Sequence, residues 1–382
     1  MPSTGRIQDI ERLRAIAALG VLIGHVPWVQ VGLSRLLHVP IDPWTGVDLF
    51  FVISGFVVSS AFERDLAHVG ESPLKTFYRK RAARILPTAY IGLALWWVGV
   101  TWLNQSGAWG HALSGGAAAG MLASGALLVS NYAQVFAGVT MPLFWFWSIC
   151  IEEHFYLLYP AFRLSVGAAS RRAVGLAVVI VAVHGVRLVV DDPELLAGLS
   201  HMRFDQLALG VLMALLVRGA RKDVDAVAVV LRRPGAPRML AILTMLLLLT
   251  LLGALPATLL RDPSAPEARL GYALAGVLSA AIVMLAGVNA ELLSFPRSRM
   301  GGVLSYLGGR SYGIYMFHVP ALWLVVELRH RLFADPRASW LQIPEVITYF
   351  IVLGLIVQAN YRWVERPLIA WAARDRTAAT VG

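Results

Sequence analysis

The chain has 382 residues, 58 % of them hydrophobic and 15 % charged, with a formal net charge of +10. A soluble domain carries nearer a quarter charged residues, so this composition excludes an ordinary soluble enzyme and points to a multi-pass protein of the cell membrane, with the lipid bilayer as its solvent. Basic loops on one membrane face account for the positive charge, so no nucleic-acid partner is expected. The single cysteine, Cys150, excludes a disulfide framework and reads as helix packing.

Ten apolar runs are long enough to span a bilayer with tilt, near residues 13–31, 47–63, 83–103, 143–163, 172–190, 203–218, 238–255, 270–288, 304–328 and 343–362. Asp9, Glu11, Arg12 and Arg14 run straight into the first, and no small-x-small site follows Trp28, so the N-terminus reads as a retained helix rather than a cleaved leader. The stretch 115–137 is apolar but rich in Gly, Ala and Ser, and charge decides its fate. With ten spans and a cytoplasmic N-terminus, 25 of the 33 Lys and Arg fall on the cytoplasmic side. A full span at 115–137 would put the later basic loops outside, so that stretch is expected not to span. The 191–202 loop, with Asp191, Asp192 and Glu194, is then outside, as is an exceptional basic loop with Arg329, Arg331 and Arg337. The expected fold is an all-α polytopic membrane protein of about ten transmembrane helices with both termini cytoplasmic. Residues 1–370 form one integral-membrane domain, and 371–382 a short polar tail.

Polar residues interrupt this apolar pattern in chain order. In the first span Arg14 and His25 would lie on one face of a helix, about 16 Å apart at 1.5 Å per residue. Titratable groups at membrane depth are costly and mark interiors or functional paths, and imidazole suits proton transfer near neutral pH. A histidine satisfied by a neighbouring helix is the alternative. Asp48 and Ser54 sit in Gly46-Val-Asp-Leu-Phe-Phe-Val-Ile-Ser-Gly-Phe56. Arg81 and Arg84, three apart, face one way at a membrane entrance and suit phosphates; the topogenic charge rule explains them as well. Ser148, Glu152 and Tyr156 recur every fourth residue on one helical face, widened by Glu153 and His154. Arg203 and Asp205 open the sixth span and read as a structural ion pair, as do Glu365 and Arg366 after the tenth. His318 is flanked by apolar residues in the ninth. The histidines lack a tight ligand spacing, so no metal is expected.

In this order the motifs resemble the membrane acyltransferase-3 family of integral-membrane O-acyltransferases. The likeness rests on Arg14 with His25, Arg81 with Arg84, Ser148 with Glu152 and Tyr156, residues 46–56, Ser311-Tyr-Gly-Ile-Tyr315 with His318, and Glu365-Arg-Pro367. Ile10-Glu-Arg-Leu-Arg14 departs from the usual Leu-Asp-Gly-Leu-Arg opening, and His154 stands where a glutamine is usual. The resemblance implies transfer of an acyl group, most often acetyl, from acyl-CoA to a hydroxyl acceptor, usually a surface or envelope carbohydrate. It implies His25 as general base or acyl carrier, Glu152 or Glu153 orienting or stabilising an imidazole, and Arg14, Arg81 and Arg84 holding the donor. Asp48, Ser148, Tyr156, Arg203, Asp205 and His318 are further site candidates. A small-molecule transporter and a non-catalytic scaffold are the competing readings.

Overall fold

A computed structural model of the chain describes residues 7–38, 45–67, 72–104, 107, 115–136, 143–190, 192–255, 266–294, 299–335 and 339–374. Asp191 and Arg337 of the expected outer loops lie outside them. The described residues form helices: α1 (Gln8–Gly24), α2 (Pro27–Leu37), α3 (Thr45–Leu66), α4 (Pro73–Val98), α5 (Gly115–Ala126), α6 (Ser130–Phe136), α7 (Trp147–Ser165), α8 (Ala169–Arg187) and α9 (Pro193–Gly198). They continue with α10 (Phe204–Gly219), α11 (Arg221–Arg232), α12 (Ala236–Ala254), α13 (Pro266–Gly287), α14 (Met300–Gly308), α15 (Ser311–Leu332), α16 (Gln342–Asn360) and α17 (Arg366–Ala372). The protein is all-helical and polytopic. Among the described residues seven helical segments are long and apolar enough to cross a membrane, and the bent pair α1 with α2 makes an eighth if it is counted as one span. The helices α7 and α10 fall short of that test for visible reasons. Glu152, Glu153 and Arg163 lie in α7, and α10 has only 16 residues.

Two expectations from the sequence change in detail, and a third is kept. The first span is not one straight helix, because α1 ends at Gly24 and the chain turns through 110° into α2, which begins at Pro27. Proline fits the first turn of a helix, where its missing N–H costs nothing. The ninth span does not begin at 304: α14 stops at Gly308, and α15 starts afresh at Ser311. The stretch 115–137 holds two helices of 12 and 7 residues, each shorter than the roughly 20 residues a straight crossing needs.

The chain divides into two compact units, Met1–Glu63 with Ile151–Ser311, and Arg64–Cys150 with Tyr312–Gly382. In the first, α10 packs on α8 and α13, α12 on α13, and α1 on α13 and α14. Its core includes Leu13, Leu49, Val52, Phe56, Ala214 and Ile282. The apolar window of α3 is 72 % buried, against 17 % for α8 and α12, so α3 is central while α8 and α12 turn Val178, Val181, Leu243 and Leu247 outward, as a lipid-facing helix does.

The helices α3 and α10 run parallel and touch through their backbones. A Cβ at Gly55 would lie 2.0 Å from the Leu207 carbonyl oxygen, and one at Gly210 would lie 2.0 Å from that of Val52. Small residues permit such approach inside membranes. Along the same seam Asp48 meets Arg203, and Glu63 meets Arg218 at the other end. A parallel pairing of the second and sixth apolar runs is what the topology with a non-spanning 115–137 requires.

In the second unit α4 packs on α5 and α17, and Tyr312 donates to the Ile85 carbonyl at 3.0 Å. Buried Glu365 accepts from Asn360 Nδ2 at 2.7 Å, and Asn360 also donates to Thr88 Oγ1 at 3.0 Å. Cys150 is buried with Ser130 Oγ 3.3 Å from its sulfur, which is a packing position.

Gly210→Ala is expected to lower stability by about 1–3 kcal/mol through overpacking, whereas Gly253→Ala, with open space at its Cβ, should not lower it. Thermal unfolding of the detergent-solubilised protein compares the two.

Candidate active site

The end of α1 shapes the first candidate. The last carbonyls of a helix lack intrahelical partners. Here the backbone N–H of His25 donates to the Leu22 carbonyl at 3.3 Å, and its ring Nδ1 lies 2.8 Å from the Val21 carbonyl. A carbonyl can only accept, so Nδ1 carries the proton. The neutral ring then has its lone pair on Nε2, the tautomer a general base needs. Arg14, half-buried on the same helix, makes no hydrogen bond or ion pair with a described residue. The arginine locked into structure is Arg12, which donates to Asp9 Oδ1 at 3.1 Å and Gln8 Oε1 at 2.9 Å. Asp9 in turn accepts the backbone N–H groups of Leu292 and Leu293.

Of the two adjacent glutamates, Glu152 has the clearest polar setting. Its Oε1 accepts from Ser54 at 2.7 Å and its Oε2 from Tyr156 at 3.1 Å. Tyr156 is one turn on, as the expected polar stripe requires. Ser54 comes from the 46–56 motif, so two motifs distant in sequence converge. Glu153 is half-buried beside it. His154 Nδ1 lies 2.6 Å from Ser200 Oγ.

Asp48, Arg203 and Asp205 take part in two buried ion pairs. Arg203 Nη2 donates to Asp48 Oδ1 at 2.6 Å, and Gln206 also donates to that carboxylate. Asp205 does not pair with Arg203, as their proximity in sequence had suggested. Residues two apart at a helix start point to different faces, and Asp205 is held by both terminal nitrogens of Arg187, each at 2.8 Å. Both guanidinium groups lie over the Tyr272 ring, Arg187 at 5.1 Å and Arg203 at 4.6 Å from its centre. Sequence reasoning missed Arg187 and Tyr272. The available signal was that Arg187 is a cation on the face where the charge rule disfavours one.

The second unit carries the remaining candidates. Arg81 and Arg84 lie on α4, both half-buried, with Arg81 5.6 Å from the Phe77 ring. Ser148 Oγ lies 2.6 Å from the Tyr315 hydroxyl, which donates to the Trp145 carbonyl. Buried His318 lies with Nδ1 2.5 Å from the Tyr315 carbonyl, so it shares the tautomer of His25. Glu365 does not pair with its neighbour Arg366, which is exposed; it accepts from Asn360 as described above and from Thr88 Oγ1 at 3.5 Å.

An acyltransferase-domain family profile matches residues 7–359. The chain belongs to this acyltransferase-3 family. Its similarity extends to a Staphylococcus aureus (strain COL) protein that carries the name of an O-acetyltransferase, 28 % identical over 94 % of this chain and 57 % of the relative. A Bacillus subtilis protein, YrhL, carries the name of a peptidoglycan O-acetyltransferase and is 25 % identical over 95 % of this chain and 55 % of its own length. The peptidoglycan O-acetyltransferase OatA of Listeria monocytogenes is 25 % identical, over 95 % of this chain and 56 % of its own. The chain thus spans a little over half the length of these relatives. No solved structure matches it.

Removing one partner of a buried pair leaves an uncompensated charge, which costs about 3–5 kcal/mol. Arg187→Met is therefore expected to lower the unfolding temperature sharply, and Asp205→Leu added to it should recover much of the loss. Recovery of less than half would show that the pair does more than balance charge.

Proposed function

We propose that this acyltransferase-3 member is a membrane O-acetyltransferase that moves an acetyl group from acetyl-CoA to a hydroxyl of a cell-envelope glycan. The observation that carries this reading is His25 with its Nδ1 proton tied to Val21, inside a chain matched by the family profile over 7–359. The names of the Bacillus and Listeria relatives support a peptidoglycan-like acceptor.

In the proposed reaction His25 Nε2 takes the proton of the acceptor hydroxyl as its oxygen attacks the thioester carbonyl carbon. The tetrahedral intermediate expels the CoA thiolate, which recovers a proton from the imidazolium. The carboxylate of Glu152 stabilises that imidazolium through the low-dielectric interior, and it holds the Ser54 and Tyr156 hydroxyls in fixed positions. Arg81 and Arg84 take CoA phosphates as forked donors, with Arg14 a third cation for the donor. The buried pairs of Asp48 and Asp205 position the helices and stay out of the chemistry.

The His25 assignment separates into capping and catalysis. The side-chain amide of asparagine can still donate to the Val21 carbonyl but cannot act as a base. His25→Asn and His25→Ala should both lose roughly 10²–10⁴-fold in acetyl transfer, while His25→Asn keeps wild-type thermal stability. Near wild-type turnover in either purified variant overturns the assignment.

Arg81→Ala and Arg84→Ala should each raise the KM for acetyl-CoA by about ten-fold or more, because a charge-assisted contact contributes about 1.5–3 kcal/mol. The KM for the acceptor should change little. If only membrane insertion changes, the two arginines are a topogenic signal.

A further inference from the structure

Away from the proposed catalytic groups, three arginines gather on one glutamate where α3, α7 and α10 end and α8 begins. Arg163 donates Nε to Glu63 Oε1 at 2.5 Å and Nη2 to Oε2 at 3.1 Å. Arg172 Nη1 reaches Oε1 at 3.1 Å, and Arg218 Nη2 lies 4.0 Å from it. Arg218 also donates to Ser59 Oγ at 2.9 Å, which accepts from Tyr159 at 2.9 Å as well.

We propose that Arg163, Arg172 and Arg218, gathered on Glu63, form a phosphate-binding site.

The charge does not close without a ligand. Three guanidinium groups face one carboxylate, a surplus of two positive charges. A topogenic arginine normally reaches into water, but Arg172 is only 8 % exposed. Its Nε, and Nη1 of Arg218, have no hydrogen-bond partner among the described residues. Buried cations and unmet donors are costly. Arg172 also stands in the first turn of α8, whose N-terminus has no side-chain cap, so unpaired backbone N–H groups add to the positive field there. Glu63 and Arg218 side chains are 23 % and 32 % exposed, which leaves an opening for a ligand. A phosphate supplies the two negative charges and planar oxygen pairs that match guanidinium forks. The phosphate can belong to an anionic lipid headgroup or to a soluble phosphate ester such as coenzyme A. The site stands independently of the acyl-transfer reading.

The test uses the full chain in detergent at constant ionic strength, with thermal shift as readout. The probes are inorganic pyrophosphate, coenzyme A and phosphatidylglycerol, the last against phosphatidylcholine. Pyrophosphate should raise the unfolding temperature of the wild type. Arg172→Gln and Arg218→Gln should each weaken its apparent affinity by about ten-fold or more. Arg221→Gln, which removes an exposed arginine paired with Asp225, should not. A phosphatidylglycerol shift lost in Arg172→Gln identifies a lipid source, and a coenzyme A shift lost in it identifies a soluble ester. No wild-type shift with any probe overturns the proposal, and that result does not depend on the variants folding. A pyrophosphate shift that survives undiminished in well-folded Arg172→Gln and Arg218→Gln overturns it equally.

Discussion

The charges around Tyr272 form a balanced set, and that set governs the first unit. Arg187 with Asp205, and Arg203 with Asp48, sum to zero charge, and both guanidinium groups lie over the Tyr272 ring. Asp48 belongs to α3, Arg187 to α8, Asp205 to α10 and Tyr272 to α13. One polar cluster thus ties together four helices that otherwise pack largely through apolar side chains. Apolar packing tolerates sliding and rotation, whereas forked ion pairs do not. The arrangement of Glu152, Ser54 and Tyr156 on α7 and α3 inherits that precision.

The three motif-bearing helices of this unit do different physical work. In α1 a histidine ends the helix, so its imidazole orientation comes from main-chain geometry rather than from a second side chain. In α7 a glutamate collects two hydroxyl donors from different helices. In α3 the motif supplies an ion-pair partner at one end, a hydroxyl for Glu152 and a glycine at the helix contact.

Much of the fold was legible because apolar runs of sufficient length leave the backbone few options besides helix. The charge count further suggested that 115–137 does not cross, in keeping with its two short helices and the parallel α3 and α10. The helix ends were less legible. Nothing in Gly24-His25-Val26 announces a break as plainly as Pro27 does, and the stop at Gly308 needed knowledge of what packs there: a Cβ at that glycine would lie 1.9 Å from the Glu11 carbonyl oxygen. The site residues stood out as charges in apolar sequence, but their partners did not. Arg203 meets Asp48 across 155 positions of sequence, and local spacing carries no trace of such a pairing. The same limit hides the carboxylate that Arg163, Arg172 and Arg218 share, because Glu63 lies about 100 or more residues from each of them in sequence.

The glycine contact between α3 and α10 has a consequence for register. Asp48 lies seven residues before Gly55, and Arg203 lies seven before Gly210. Each helix then runs fifteen residues, about 22 Å, from its ion-pair residue to Glu63 or Arg218. With no side chain between the two backbones, the helices have no soft layer on which to slip. A screw slip of a single residue would bring Ser54 or Phe56 to the place of Gly55, a space that admits only a hydrogen atom. Two glycines thus act as a ratchet tooth at mid-depth, keeping the polar groups at both ends of the seam in phase.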